Sequence, residues 1–521
     1  MKKKTRILTL LLSTVVAASY FTGCGDINAD DSGKHLDNSN ATNVELAIWN
    51  SGSGTKWLDN MIEAFEDEHP EYHVTYNASA SINTVNASFG MEDVDNTDLY
   101  LTYVSYDTEH MEPLDDVLTA TADGETKTIG EKFHSTYIAG AQAKDGHYYT
   151  LSFRGGVIGF VYNKEIFEKA GIRQLPRTTD ELVVVCDTLY SSGYTPLCHF
   201  YNGGYYTYLD QAFMAQYDGV GYYVNNFYGC TDAAGNSPSI GVLTAKDGRY
   251  YALKAYEEFI TPEYTLTGSN TKSHTEIQTE FLNDRAAMML NGSWMEYEMK
   301  GIGSVEKFAM MRLPVLSDIV NKLTTVKSEK LLRELVTAID QVTSKEKELS
   351  DFASGDDYIV GGQTVSAEDW AYVSAARNTV SSNFAGEVAY IPKYSNAKEG
   401  AKEFLKFLYS DRGLKIYAET VQSPRPISLS TGEEIDISGF SNFAKSQYEL
   451  LASAENLVDL HFNHKHEIFL HGGAQDFAGV SFIDKFSTNN AADRKTAEEV
   501  WKLVIDTIED KYETTWLKNI K

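Results

Sequence analysis

The chain is short of cysteine, of positive charge and of any apolar run long enough to cross a bilayer. Its 521 residues hold four cysteines, Cys24, Cys186, Cys198 and Cys230. Beyond Cys24 an odd set remains, which permits one bridge and one free thiol, so no disulfide framework holds the fold together. Lysine and arginine number 45 against 74 aspartates and glutamates, a formal net charge of −29. Such a surface repels phosphate backbones and argues against nucleic acid as a partner. The apolar run from Ile7 to Phe21 is about fifteen residues, where a membrane span takes roughly 20. No Gly-x-Ser-x-Gly elbow, phosphate-cradling Walker loop or internal repeat is present.

What is present begins with a secretory layout. MKKKTR supplies a positive region, Ile7 to Phe21 a short apolar one, and FTGCGD follows. Gly23 before Cys24 looks like a bacterial lipobox, in which residues 1–23 are a signal peptide and Cys24 carries lipid. The alternative is ordinary signal cleavage beside an incidental cysteine. Loss of Lys2, Lys3, Lys4 and Arg6 with the signal leaves a net charge of about −33. A chain of that sign is held off an anionic membrane unless it is anchored. Residues 24–43 are small and polar and read as a flexible tether.

From Val44 the pattern is α/β. VELAIW is a β-prone run ending in the turn Asn50-Ser51-Gly52-Ser53-Gly54, and Trp57, Leu58, Met61, Ile62 and Phe65 then recur at helical spacing. YHVTY, DLYLTY and Val157 to Tyr162 read as further strands, with a short helix over Lys164 to Gly171. Alternation of this kind predicts parallel α/β layers, and the length predicts two lobes. A charged helical region between Asp318 and Val380 reads as an insertion, and amphipathic helices are expected around Glu399 to Tyr409 and Thr496 to Tyr512.

Four segments, in order, resemble the extracellular solute-binding proteins of bacterial carbohydrate ABC importers, of the maltose-binding type: AIWNSGSGTKWLDNMIEAFEDEHPEYHVTY, GFVYNKEIFEKAGI with PRTTDEL, AAMMLNGSW, and AYIPKYSNAKEGAKEFLKFLYSDRGLKIY. The resemblance implies a two-lobed, periplasmic-binding-protein-like α/β fold with an interlobe cleft and hinge crossings. It places 44–155 and 301–420 in the N-terminal lobe, with the insertion at about 318–380, and 156–300 and 421–521 in the C-terminal lobe. It makes Arg154-Gly155-Gly156 a hinge crossing, where the bland reading is a turn before a buried strand. It implies a monomeric carrier without cofactor or catalytic role, outside the cell membrane, that takes a carbohydrate to a permease.

A sugar presents hydroxyls at its edge and C–H groups on its face, so its site needs flat rings and fixed polar groups. Trp49 and Asn50 end the first strand, where open α/β sheets place ligands, and Tyr103 ends DLYLTY. The resemblance adds Trp294 as a stacking ring, Tyr201, Tyr205 and Tyr206 as a loop across the cleft, and Arg154, Glu387 and Arg425 as polar groups near the crevice. A solvated surface pair explains Glu387 and Arg425 equally well, and Arg154 serves equally as a hinge brace.

The competing feature is HFNHKHEIFLH, with His461, His464, His466, Glu467 and His471. His466 and His471 are five apart, about 140° around a helix, so the zinc-protease spacing fails; a metal site there competes with a polar surface segment or a helix packed on the second lobe. A glycoside hydrolase needs two carboxylates across a cleft, and with 74 acidic residues such pairs are uninformative. A surface glycan-binding lipoprotein without transport would share the anchor.

Overall fold

The computed structural model describes residues 40–200, 205–300, 303–462, 468–469 and 476–520. Residues 41–521 form one compact unit. Cys24, most of the tether, Tyr201, His464, His466, Glu467 and His471 lie outside the described residues.

Among the described residues the strands form three sheets. The first contains β1 (Thr42–Trp49), β2 (Tyr72–Ser79), β3 (Leu99–Tyr103), β4 (Leu151–Ser152) and β13 (Glu387–Tyr390), in the order β2-β1-β3-β13-β4. β1 runs parallel to both β2 and β3, while β13 is antiparallel to β3 and β4. The second contains β5 (Val157–Asn163), β6 (Leu197–Cys198), β7 (Met288–Gly292), β8 (Phe308–Met310), β12 (Thr379–Ser382) and β14 (Asn456–Asp459). Its order is β14-β12-β5-β7-β6, with β8 also on β5. A small antiparallel sheet, β9 (Ala353–Ser354), β10 (Asp357–Val360) and β11 (Gln363–Val365), completes the set.

Local chemistry accounts for these elements. Helix Lys56–Glu68 buries Trp57, Leu58, Met61, Ile62, Ala64 and Phe65, the stripe of a helix laid on a sheet. β5 stops at Asn163, whose side-chain oxygen accepts from the backbone N–H of Glu165 and Ile166 at 3.1 Å each. That cap satisfies two orphan donors and starts helix Lys164–Lys169.

Two segments join the sheets side by side. One runs from β4 through Arg154, Gly155 and Gly156 into β5; the other runs from β12 through Asn383 to Gly386 into β13. The Gly156 N–H donates to Asn383 Oδ1 at 2.9 Å, and the Asn383 N–H donates to the Gly156 carbonyl at 3.1 Å. Gly155 has φ +112° and a Cβ there would sit 3.0 Å from the Asn383 carbonyl oxygen. Only glycine fits that conformation and that approach.

The region between β8 and β12 differs from expectation. Both strands belong to the second sheet, so the inserted segment springs from the second lobe, and the chain returns to the first sheet only at β13. The segment has its own apolar cluster, including Val315, Leu332, Leu335, Val336, Ile339, Trp370 and Val373, separate from the main core. Cys186, Cys198 and Cys230 are all buried free thiols.

Candidate functional site

The first lobe supplies one wall. Trp49 and Tyr103 end the neighbouring parallel strands β1 and β3, and their rings meet edge to face at 6.0 Å. Glu387 opens β13 directly opposite Tyr103. Arg154, 1% exposed, pairs through Nε with Glu387, donates from Nη2 to the Trp49 carbonyl at 3.0 Å, and lies 5.6 Å from the centre of the Trp49 ring. One guanidinium thus fixes both the carboxylate and the tryptophan. Asn50 is half-buried at the turn that follows, its backbone N–H donating to the Ser79 carbonyl at 2.8 Å.

The second lobe supplies the other wall. Trp294 lies just past β7, its indole N–H donating to the Tyr205 hydroxyl at 3.1 Å with the rings edge to face at 5.1 Å. Tyr205 stands 6.2 Å from Tyr208, whose ring is 6.0 Å from the imidazole of His461. His461 in turn reaches back to the first wall, its Nε2 2.5 Å from the Tyr103 hydroxyl. Burial raises the phenol pKa of Tyr103 and Tyr205, and neighbouring carboxylates add to it: Asp459 and Glu387 for Tyr103, Glu298 and Glu387 for Tyr205. Both phenols are therefore neutral hydrogen-bonding groups at physiological pH.

Above these rings the turn after β1 rests on helix Met295–Glu298. A Cβ on Gly54, which has φ +62°, would lie 2.2 Å from the Tyr297 hydroxyl, and one on Gly52 would lie 2.7 Å from Glu298 Cγ. Glu298 accepts from Gln278 Nε2 at 2.9 Å. Burial raises its pKa, the Gln278 hydrogen bond opposes that, and Glu387 adds to it.

The expected residues divide into two groups. Trp49, Tyr103, Arg154, Tyr205, Trp294 and Glu387 come together, with Asn50 at the edge. Tyr206 is turned inward, 2% exposed among Tyr256, Phe482 and His199. It begins helix Tyr206–Asp218, and adjacent helical residues point about 100° apart, so it cannot share the face of Tyr205. Arg425 is 5% exposed inside the first lobe, donating to the carbonyls of Leu408 and Ser152 at 3.1 Å each, beside the rings of Tyr409 and Tyr417. It braces β4 beneath the cluster, and it is not the solvated partner of Glu387. Sequence reasoning missed Tyr208, Tyr297 and Glu298. The i, i+3 spacing from Tyr205 to Tyr208 was the available signal. Among the described residues, no group of three or more His, Cys, Asp or Glu side chains is arranged to hold a metal ion.

Two lobes on separate sheets, joined by paired crossings with ring-bearing strand ends between them, define a binding protein of the hinged, two-lobed class. The profile of bacterial extracellular solute-binding proteins matches residues 50–415, and the chain belongs to that family. A protein of Brucella abortus (strain 2308) named as a binding protein is 25% identical over 183 residues, 35% of this chain; the match spans 41% of that relative's length. The bacterial solute receptor AcbH, described as having an exclusive preference for β-D-galactopyranose, aligns with a TM-score of 0.60 over 91% of this chain and 99% of its own, at 13% identity. The GacH receptor of Streptomyces glaucescens, solved unliganded and with acarbose, aligns with a TM-score of 0.55 over 92% of this chain and 100% of its own, at 14% identity. At these identities the likeness carries the fold.

Proposed function

We propose that this protein is the lipid-anchored, extracytoplasmic receptor of a carbohydrate ABC importer, holding a mono- or oligosaccharide between its lobes and presenting the closed complex to the permease. The observation that carries this reading is the convergence of rings from both lobes, Trp49 and Tyr103 against Tyr205, Tyr208 and Trp294, around the carboxylate of Glu387. Rings cover the C–H faces of a sugar, and carboxylate and phenol oxygens take its hydroxyl protons. Hydrogen bonds contribute about 0.5–1.5 kcal/mol net each and micromolar binding needs about 8 kcal/mol, so several contacts act together with closure. AcbH and GacH, receptors named with a galactose and with acarbose, support the same ligand class. The receptor acts as a monomer, needs no cofactor and returns its glycan unchanged.

The test is a thermal-shift screen of the purified protein against galactose, acarbose and a panel of mono- and oligosaccharides, followed by calorimetry. Stabilisation by one sugar family supports the reading, since a ligand of the native state raises apparent stability by mass action. A response confined to peptides or polyamines defeats it, and release of shorter glycans on incubation makes the protein a hydrolase. Incorporation of labelled lipid that is lost in Cys24→Ser tests the anchor.

A further inference from the structure

Asp459 ends β14 and is fully buried. Its Oδ2 accepts from Ser382 Oγ and from the Ala385 N–H at 3.0 Å each; its Oδ1 accepts from the His461 N–H at 3.0 Å and faces His461 Nδ1 at 2.9 Å. Each carboxylate oxygen already receives a backbone N–H, so the group is held as an acceptor. Nδ1 must then carry the imidazole proton, because a lone pair there would face another lone pair. In the neutral ring Nε2 is left as an acceptor, and Tyr103 Oη lies 2.5 Å from it. The phenol proton of Tyr103 is thereby committed to His461. The hydroxyl of Tyr208 is near enough to that of Tyr103 for the two to interact electrostatically.

The chain of donors runs in one direction, from Tyr103 through His461 to Asp459. It takes up a proton that the Tyr103 phenol would otherwise offer to a ligand. Glu387, paired with Arg154, adds a carboxylate acceptor. Trp49 directs its indole N–H away, to the Ala80 carbonyl at 3.2 Å, and Trp294 spends its own on Tyr205.

Resting on the carbohydrate reading above, we propose that Asp459 and His461 are positioning residues that fix the hydrogen-bond polarity of Tyr103. The site then selects ligands that donate a hydroxyl proton there and rejects groups that only accept, such as a methyl ether, a carboxylate or a carbonyl. A buried acceptor left facing another acceptor loses its partner, the situation in which polar sites discriminate most strongly.

The experiment has two arms. In the first, long-range 1H–15N spectra of the ligand-free full-length chain with labelled histidine, assigned with His461→Gln, are expected to show a neutral His461 ring protonated on Nδ1 at pH 7.5. Protonation on Nε2, or on both nitrogens, overturns the proposal whatever the sugar results. Asp459→Asn, which can donate to Nδ1, is expected to move the proton to Nε2; a folded variant that keeps the Nδ1 tautomer also overturns it. In the second arm, calorimetry uses methyl β-D-galactopyranoside and its mono-O-methyl ethers. One ether is expected to bind at least about tenfold more weakly than the parent, with that ratio falling below about threefold in His461→Gln. An unchanged ratio in His461→Gln counts against the proposal. Absence of binding by the galactoside and by every glycan of the screen defeats the carbohydrate reading, and the tautomer then decides this proposal alone.

Discussion

The two walls of the site are built in different ways. The first is locked from beneath: Arg154, buried, holds Glu387 and the Trp49 carbonyl with one guanidinium. The second is held largely ring against ring through Tyr205, Tyr208 and Trp294, with the Trp294 N–H donated to Tyr205 and His461 seated on Asp459. A charge-locked wall cannot lose one member cheaply, because the remaining ion is stranded away from water. A ring-built wall loses packing by degrees. The first wall is therefore expected to be the stiffer of the two.

The largest expected effect breaks the lock. Arg154→Met is expected to lower the unfolding free energy by about 3–5 kcal/mol, and adding Glu387→Gln to restore much of the loss, both read by urea titration. A single variant that unfolds with the wild type would erase the difference between the walls.

Next comes the ground beneath the second wall, where His199 packs on Tyr206 and donates from Nε2 to Asn270 Oδ1 at 2.6 Å. Burial pushes its pKa down to about 4, against an opposing contribution from the Asn270 hydrogen bond. The unfolded chain takes up that proton near pH 6.5 and the folded one only near pH 4. Stability is complete above the higher value and drains away as pH falls between the two. The loss attributable to this ring is roughly 3 kcal/mol. Melting curves against pH are expected to fall less steeply for His199→Gln over that window than for the wild type.

Trp294→Ala should leave the fold intact and weaken glycan binding at least about tenfold, some 1.4 kcal/mol. Calorimetry showing full affinity would remove Trp294 from the site. The smallest effect sits where the walls meet. Gly54→Ala places a methyl against Tyr297 in a left-handed conformation, with an expected loss of at least about 1 kcal/mol. Adding Tyr297→Ala should recover the steric part and leave the backbone part, and small-angle scattering with and without sugar would show whether closure is what suffers.

Much of the framework was legible in the sequence because strand and helix periodicities are local. Val44 to Trp49, Leu99 to Tyr103 and Val157 to Tyr162 fall within strands, and Glu399 to Leu408 and Ala497 to Lys511 within helices. The meeting of Trp49 and Tyr103 was legible too, because both stand at the carboxyl ends of neighbouring parallel strands. What was not legible depends on which sheet a strand joins. The membership of β8 and β12 is set by pairing with β5 across long stretches of chain, and no local pattern encodes it. Nor did composition reveal that Arg425 is enclosed by carbonyls and rings, or that Asp459 stands behind His461.

The segment between β8 and β12 carries a second apolar cluster, while Met311, Leu313 and Leu316 at its entry pack in the main core. Polar contacts add to that join: Arg177 Nη1 donates to Thr337 Oγ1 at 2.7 Å, Tyr372 donates to the Tyr217 carbonyl at 2.6 Å, and Lys254 pairs with Asp318 at 2.8 Å. A body with a largely separate interior is expected to exchange its amides with solvent on a free-energy scale of its own, distinct from that of the hinge. Its loosening is expected to leave the two principal sheets paired.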